Sequence, residues 1–270
     1  MTKPALPEGS VIGILGGGQL GRMTAIAAAE LGYRAHIFAP EGDAPACDMA
    51  FASTRANYDD QDALTAFGQA VDTITSEFEN VPADVMTFLS AHAPVSPGKE
   101  ALSCAQHRIS EKTHASKLGI NVPKFAAVTS ADDLAKAMPQ MTNGAVLKTC
   151  RLGYDGKGQA RIKQGASDAD TNAAFAALAS DDCILEEMVN FSAEASFLVA
   201  RNADGNIAHF PASINHHEDG ILATSRAPAD PSLLPQSLLK EGQDAVAAFA
   251  DSLDLVGLLA AEMFITDHGR

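Results

Sequence analysis

The chain has 270 residues, 46% of them hydrophobic and 20% charged, a balance that excludes a disordered polymer and predicts a globular protein with a substantial core. That length exceeds the size at which one core stops growing, so two or three domains are expected. The formal net charge of −15 disfavours nucleic-acid binding because the surface field repels polyanions, whereas clustered Lys and Arg can still draw a small anion into a site.

The four cysteines, Cys47, Cys104, Cys150 and Cys183, form no CxxC pair, which argues against zinc and against a disulfide framework, and they read as reduced thiols. The N-terminus lacks a signal-peptide core, and no apolar run reaches the roughly 20 residues that a bilayer demands. The expectation is a cytoplasmic protein without a membrane partner.

In chain order, Val11 to Leu15 predicts a strand, Gly16 to Gly18 a turn, Gln19 to Leu31 an Ala-rich helix and Arg34 to Phe38 a second strand, together a βαβ unit. A strand at 72–76 and a helix opened by Pro82 continue an open α/β layer. A helix from about Lys99 to Leu118 leads into a second α/β region. Its strands are at 124–128, 145–150, 160–163 and 183–188, and its helices are at 130–138 and 168–180. Runs at 193–201 and 207–214 flank Ala203-Asp204-Gly205-Asn206, a hairpin signal. A helix at 236–253 then precedes the apolar strand 257–266. Read as buried, that strand lacks a hairpin partner, which suggests a protein continuing past Arg270.

Gly16-Gly17-Gly18-Gln19-Leu20-Gly21 places GxGxxG between strand and helix, where backbone N–H groups receive an anion. A dinucleotide site would also want an acid at the end of the second strand, but Phe38-Ala39-Pro40 stands there. A structural tight turn and a substrate phosphate or ribose contact both remain open. The second cluster, Gly153-Tyr154-Asp155-Gly156-Lys157-Gly158-Gln159, lies between two strands and reads as a flap able to fold over phosphates, or as a plain hairpin tip.

Lys148 ends an apolar strand, where an ammonium is costly unless it meets an anion or snorkels to water. Glu186 and Glu187, with Met188 and Val189, form a strand running into a connector, and Glu194 follows. These acids could hold sugar hydroxyls or simply be solvated. Glu262 sits inside Leu258-Leu259-Ala260-Ala261-Glu262-Met263-Phe264-Ile265, where a carboxylate needs a metal, a cation or a local exit to water, and magnesium is the favoured reading.

With GILGGGQLGRM at 13–23, EFENVP at 77–82, LGYDGKGQ at 152–159, NFSAEAS at 190–196 and HHEDGIL at 216–222, the whole chain resembles the N5-carboxyaminoimidazole ribonucleotide synthetases. The resemblance implies ATP-grasp architecture: an N-terminal open parallel-sheet, Rossmann-like domain (1–105), a linker helix and small lid (106–189), and an incomplete C-terminal α+β domain (190–270). It implies ATP contacts from Arg108, Lys148, Gly153 to Gln159, Glu186 to Val189, Glu194 and His217, with Glu262 as the first of two magnesium acids. The second acid would lie beyond Arg270, leaving this chain inactive by itself. The aminoimidazole ribonucleotide would meet Gln19, Leu20, Glu77 or Glu79, Tyr154 and Asp155.

The implied reaction uses ATP, Mg2+ and bicarbonate to form carboxyphosphate and carboxylate the ribonucleotide amine, in a homodimer. Three positions depart from the family's usual residues: His107 for an acid, Cys150 for a base and Ile214 for an acid. Other ATP-grasp enzymes, such as a formate-dependent transformylase or biotin carboxylase, share the grasp but differ in loop wording. An NAD(P) oxidoreductase is opposed by the missing strand-end acid, and a non-catalytic nucleotide-binding regulator would bind without turnover.

Overall fold

The computed structural model describes residues 6–152, 158–218 and 220–266, and these divide into two compact units. The first contains residues up to Ser103 with 201–206 and 253–257; the second contains 104–200, 207–252 and the chain from Leu258 onward.

In the first unit the order is β1 (Val11–Leu15), α1 (Gln19–Glu30), β2 (Arg34–Ala39), β3 (Ala52–Arg55), α2 (Gln61–Gln69), β4 (Thr73–Ser76), α3 (Ala83–Leu89) and α4 (Lys99–Ala105), the last running on past Ser103. The strands form a parallel sheet in the order β3-β2-β1-β4, with Ile14 opposite Ile37 and Leu15 opposite Phe38. Parallel neighbours need crossover connections, and α1 supplies the first. Because successive side chains point to opposite faces, Ile14 and Ile37 pack with Ala25 of α1 on one side. Leu15, Phe38 and Ile74 pack with Phe67, Val85 and Met86 on the other.

The second unit continues with α5 (Arg108–Lys117), β5 (Phe125–Val128), α6 (Ala131–Ala137), β6 (Ala145–Thr149), β7 (Gln159–Ile162), α7 (Asp168–Leu178) and β8 (Cys183–Glu187). An antiparallel sheet, β5-β8-β6-β7, buries Leu147, Ile162 and Leu185 against Leu134 of α6 and the partly buried Phe175 of α7. Ser167 starts α7 with a capping box, its hydroxyl accepting from the Asp170 N–H while the Asp170 carboxylate reaches back. The chain then forms β9 (Ala193–Arg201), β10 (Ile207–His209), β11 (Ser213–Glu218), β12 (Ile221–Arg226), α8 (Gln236–Ser252) and β13 (Gly257–Ile265). A second sheet runs β10-β9-β11-β12, with β13 also pairing β9.

Three expectations change. The helix expected over 99–118 breaks at residues 106–107, where His107 has φ −132° and its Nδ1 accepts the Ser110 N–H to start α5. The run at 207–214 divides into β10 and β11 around Pro211, which has no N–H to give a ladder. The final strand is not buried: its side chains alternate, leaving Leu258 68% and Phe264 45% exposed on the face that carries Glu262. β3 and α2 were not read from sequence, although Asp60 caps α2 by accepting the Ala63 N–H.

Candidate nucleotide-binding site

Lys148 and Glu186 meet because of strand register. Lys148 pairs directly with Ile184 across β6 and β8, so Glu186, two residues along β8, is its diagonal neighbour on the same sheet face. Lys148 Nζ donates to Glu186 Oε2 at 2.9 Å. The other oxygen, Oε1, makes no hydrogen bond and faces Lys112 Nζ at 3.5 Å. Glu186 is only 6% exposed, so these two ammonium groups are what make its charge tolerable.

Lys112 escaped the sequence reading. The usable signal was its spacing: Arg108, Glu111 and Lys112 stand at i, i+3 and i+4 on α5 and therefore share a face. Arg108 donates its backbone N–H to the Cys150 carbonyl at 3.1 Å and its Nε–H to the Thr149 carbonyl at 3.2 Å. It is thus tied to the strand end that Lys148 precedes.

Three cations, Arg108, Lys112 and Lys148, therefore face two acids, Glu111 and Glu186. Burial pushes the Glu111 carboxyl up, against the pull of Lys112 and Arg108, while Glu186 adds to the rise. In a chain of net charge −15 this is a local surplus of positive charge, suited to an anion rich in oxygens.

A carboxyl raised in the folded state holds its proton more tightly there than in the unfolded chain. Its contribution to stability therefore falls as pH rises from the ordinary carboxylate range through the raised value. Glu111→Gln is accordingly expected to stabilise the protein at pH 7 to 8, with the gain shrinking as pH falls toward 4. Urea unfolding at several pH values checks this, and a gain that grows on acidification would contradict it.

Thr149 N–H donates to the Gly158 carbonyl at 2.9 Å, and Lys148 pairs with Gln159, so β6 and β7 pair antiparallel on either side of the second glycine cluster. Gly158 has φ +66°, a conformation that glycine adopts without strain. Gly153, Tyr154, Asp155, Gly156 and Lys157 lie outside the described residues.

In the connector, Glu187 turns away from the cations. Its Oε1 accepts from the Thr142 N–H and hydroxyl, both at 2.7 Å, and the hydroxyl bond is the main reason its carboxyl is held below the usual range. The Glu187 and Met188 N–H groups donate to the Lys124 and Gly144 carbonyls. In the second sheet, His217 Nδ1 contacts a Glu194 carboxylate oxygen. The β11–β12 pairing carries a register irregularity between His216 and His217.

Glu262 is on the exposed face of β13, so the argument that burial demands a metal there does not hold. A solvent-facing carboxylate is still a hard oxygen donor, of the kind a hydrated divalent ion accepts singly alongside phosphate oxygens. Among the described residues, the group of potential ligands close enough to share one ion is His107, Cys150 and Asp182.

In the first unit, the anion at the N-terminus of α1 belongs to the chain itself. Glu77 accepts from Gly18 N–H through Oε1 at 2.6 Å and from Gly21 N–H through Oε2 at 2.5 Å, neutralising otherwise unpaired donors. Gly16, at φ +102°, fits beneath it, since a Cβ there would come 2.4 Å from Glu77 Cγ. Gln19, Leu20 and Glu79 are exposed, and Glu79 accepts from Asn80 Nδ2. Glu77→Leu should lower the unfolding free energy by about 2 kcal/mol, the scale of two hydrogen bonds to a charged group after partial exposure. Urea unfolding measures it, and a loss below about 0.5 kcal/mol would show that water replaces the carboxylate without penalty.

An antiparallel sheet that presents cations at the foot of a glycine hairpin, followed by a second antiparallel sheet, is the frame of an ATP-grasp ligase. Residues 113–270 match the ATP-grasp domain, and residues 10–106 match the ribonucleotide synthetase preATP-grasp domain. The chain is 39% identical over 270 residues to the N5-carboxyaminoimidazole ribonucleotide synthase of Bacillus subtilis, spanning 100% of this chain and 70% of that protein. It is 40% identical to the bifunctional purine synthesis protein purC/E of Dictyostelium discoideum, spanning 98% of this chain and 26% of the relative. A solved ADP complex of an N5-carboxyaminoimidazole ribonucleotide synthetase superposes with a TM-score of 0.92 at 38% identity, covering 100% of this chain and 70% of that one. The chain belongs to the N5-carboxyaminoimidazole ribonucleotide synthase family.

Proposed function

We propose that this protein carboxylates 5-aminoimidazole ribonucleotide on its exocyclic amine, consuming ATP and bicarbonate and releasing ADP and phosphate, in purine biosynthesis. The observation that carries the chemistry is the buried Lys148–Glu186–Lys112 cluster beside Arg108. Phosphoryl transfer asks a protein mainly for positioning and charge neutralisation.

In this reading Lys148 and Arg108 receive the nucleotide phosphates, and Glu186, held between two ammonium groups, keeps Lys148 extended. The connector Glu186 to Val189 supports the adenine, while Glu194, oriented by His217, holds the ribose. Bicarbonate oxygen attacks the γ-phosphorus, ADP leaves, and the carboxyphosphate so formed yields its carboxyl group to the ribonucleotide amine, leaving phosphate. A loop closing over the site, which we assign to Gly153 to Gln159, keeps water from this labile anhydride.

Magnesium, taken up with the nucleotide, would be held in part by Glu262 and would offset the phosphate charge during transfer. The ribonucleotide would meet Gln19, Leu20, Tyr154, Asp155 and an acid of the 77–79 segment. Because Glu77 is already engaged by Gly18 and Gly21, Glu79 is the acid that presents an exposed carboxylate.

We further assign a homodimer, which sedimentation would check, and a reducing cytoplasmic setting, in keeping with four free cysteines. Among the described residues no helix is long and apolar enough to cross a membrane.

The test is ADP release with ATP, Mg2+ and bicarbonate, with and without the ribonucleotide, alongside nucleotide binding by calorimetry. Ribonucleotide-stimulated release supports the proposal. Nucleotide binding without stimulated release would favour a non-catalytic nucleotide-binding role instead.

A further inference from the structure

His107, Cys150 and Asp182 carry none of the roles assigned above, yet they join three segments that surround Arg108. His107 Nε2 lies 3.2 Å from Asp182 Oδ1, across 75 residues of sequence. The Cys150 N–H donates to the Asp182 carbonyl at 2.8 Å, and the Asp182 N–H donates to Ser180 Oγ at 3.2 Å. Arg108, next in the chain to His107, donates to the carbonyls of Thr149 and Cys150. The start of α5, the end of β6 and the start of β8 are therefore laced together around one guanidinium.

The potential ligand atoms of the three residues lie within 4.8 Å of one another, a spacing that a metal ion could also use. The hydrogen bonding decides between the two readings. His107 Nδ1 accepts the Ser110 N–H, so the neutral ring carries its proton on Nε2 and offers Asp182 a donor, not a lone pair. Burial, reinforced by the hydrogen bond to Asp182, pushes the Cys150 thiol up to about 12, which keeps it a donor as well.

We infer that Asp182, acting through His107, anchors the first turn of α5 and so positions Arg108 for the nucleotide phosphates. His107 and Asp182 are then positioning residues of this ligase. Histidine is not among the side chains most favoured at this position, and here it caps α5 by accepting the Ser110 N–H. The bond to Asp182 supplies a second attachment point, immediately before Arg108. The inference rests on the reading of Arg108 as a phosphate-binding residue.

Two substitutions separate anchoring from capping. His107→Asn keeps a side-chain acceptor for the Ser110 N–H and is too short to reach Asp182. His107→Gln reaches Asp182 and gives up the short cap. Calorimetric ATP binding is expected to weaken about tenfold in His107→Asn, equivalent to the loss of one hydrogen bond's worth of positioning, with the urea midpoint unchanged. In His107→Gln it should stay within about twofold of the parent, with the midpoint lowered.

Parent-like ATP binding by His107→Asn would overturn the anchor. So would equal weakening in both variants accompanied by equal loss of stability. Zn2+ inhibition abolished by Cys150→Ala would overturn the hydrogen-bonded reading in favour of a metal site. Arg108→Met serves as the control for the underlying assignment. If it binds ATP as the parent does, the phosphate role of Arg108 fails; if it weakens binding while His107→Asn does not, the anchor alone fails.

Discussion

Glu186→Leu is expected to lower the unfolding free energy by about 3 kcal/mol, the lower end of the range for removing one partner from a buried charge cluster. The lower end applies because the Lys148 and Lys112 side chains keep 24% and 17% of their surface exposed and can move part of their charge toward water. In the parent their ammonium groups share one carboxylate; in the variant they face each other and a leucine. ATP phosphates would restore the missing negative charge, so saturating ATP should raise the urea midpoint of the variant more than that of the parent. A variant within about 0.5 kcal/mol of the parent would show that the lysines are already solvated and that the cluster is no buried network.

Lys148→Met should have a different profile, with a smaller loss of stability than Glu186→Leu and a large loss of turnover. Glu186 keeps Lys112 at 3.5 Å, so its charge is not left alone, and methionine fills the space of the lysine stem. What disappears is the donor aimed at the transferring phosphate. Losing one preorganised electrostatic group of this kind lowers kcat by on the order of 10²–10³. Lys148→Arg should not rescue it, because a planar guanidinium pairs differently with Glu186 and reaches a different point in the site. ADP release in the complete reaction measures the loss. Wild-type turnover by Lys148→Met would remove this residue from the phosphate site, and full rescue by arginine would reduce its role to net charge.

The two variants probe one salt bridge from its two ends. The first result is chiefly a stability effect because Glu186 is only 6% exposed, and the second chiefly a rate effect because Lys148 stands near the end of β6, before the second glycine cluster. If both variants lost stability equally and turnover equally, the cluster would be structural and the phosphate site would lie elsewhere. The Glu111→Gln experiment bears on the same balance, since the Glu111 carboxyl, raised by burial, lies beside this cluster.

The sequence by itself determined whatever depends on near neighbours. The strand, glycine turn and helix at residues 11–30, the capped helix at 168–178 and the hairpin that carries the second glycine cluster follow from period, caps and turn residues. Lys148 could be singled out because an ammonium in an apolar strand states its own need for a partner. The family could be named because its motifs occur in order along the whole chain.

The tertiary structure decided the partners. Glu77 reaches the first glycine turn from 59 and 56 residues away, so the anion that the turn was expected to receive comes from within the fold. Lys112 meets Glu186 through packing of a helix on a sheet, and His107 meets Asp182 in the same manner. Neither contact follows from spacing along the chain. Glu262 shows the limit most directly: its apolar neighbours read as a buried strand, but which face of a strand meets the core depends on what packs against the sheet. In β13 that choice left Leu258, Glu262 and Phe264 outside. Local chemistry sets which groups need a partner, whereas only the packing of distant segments settles which partner each one gets.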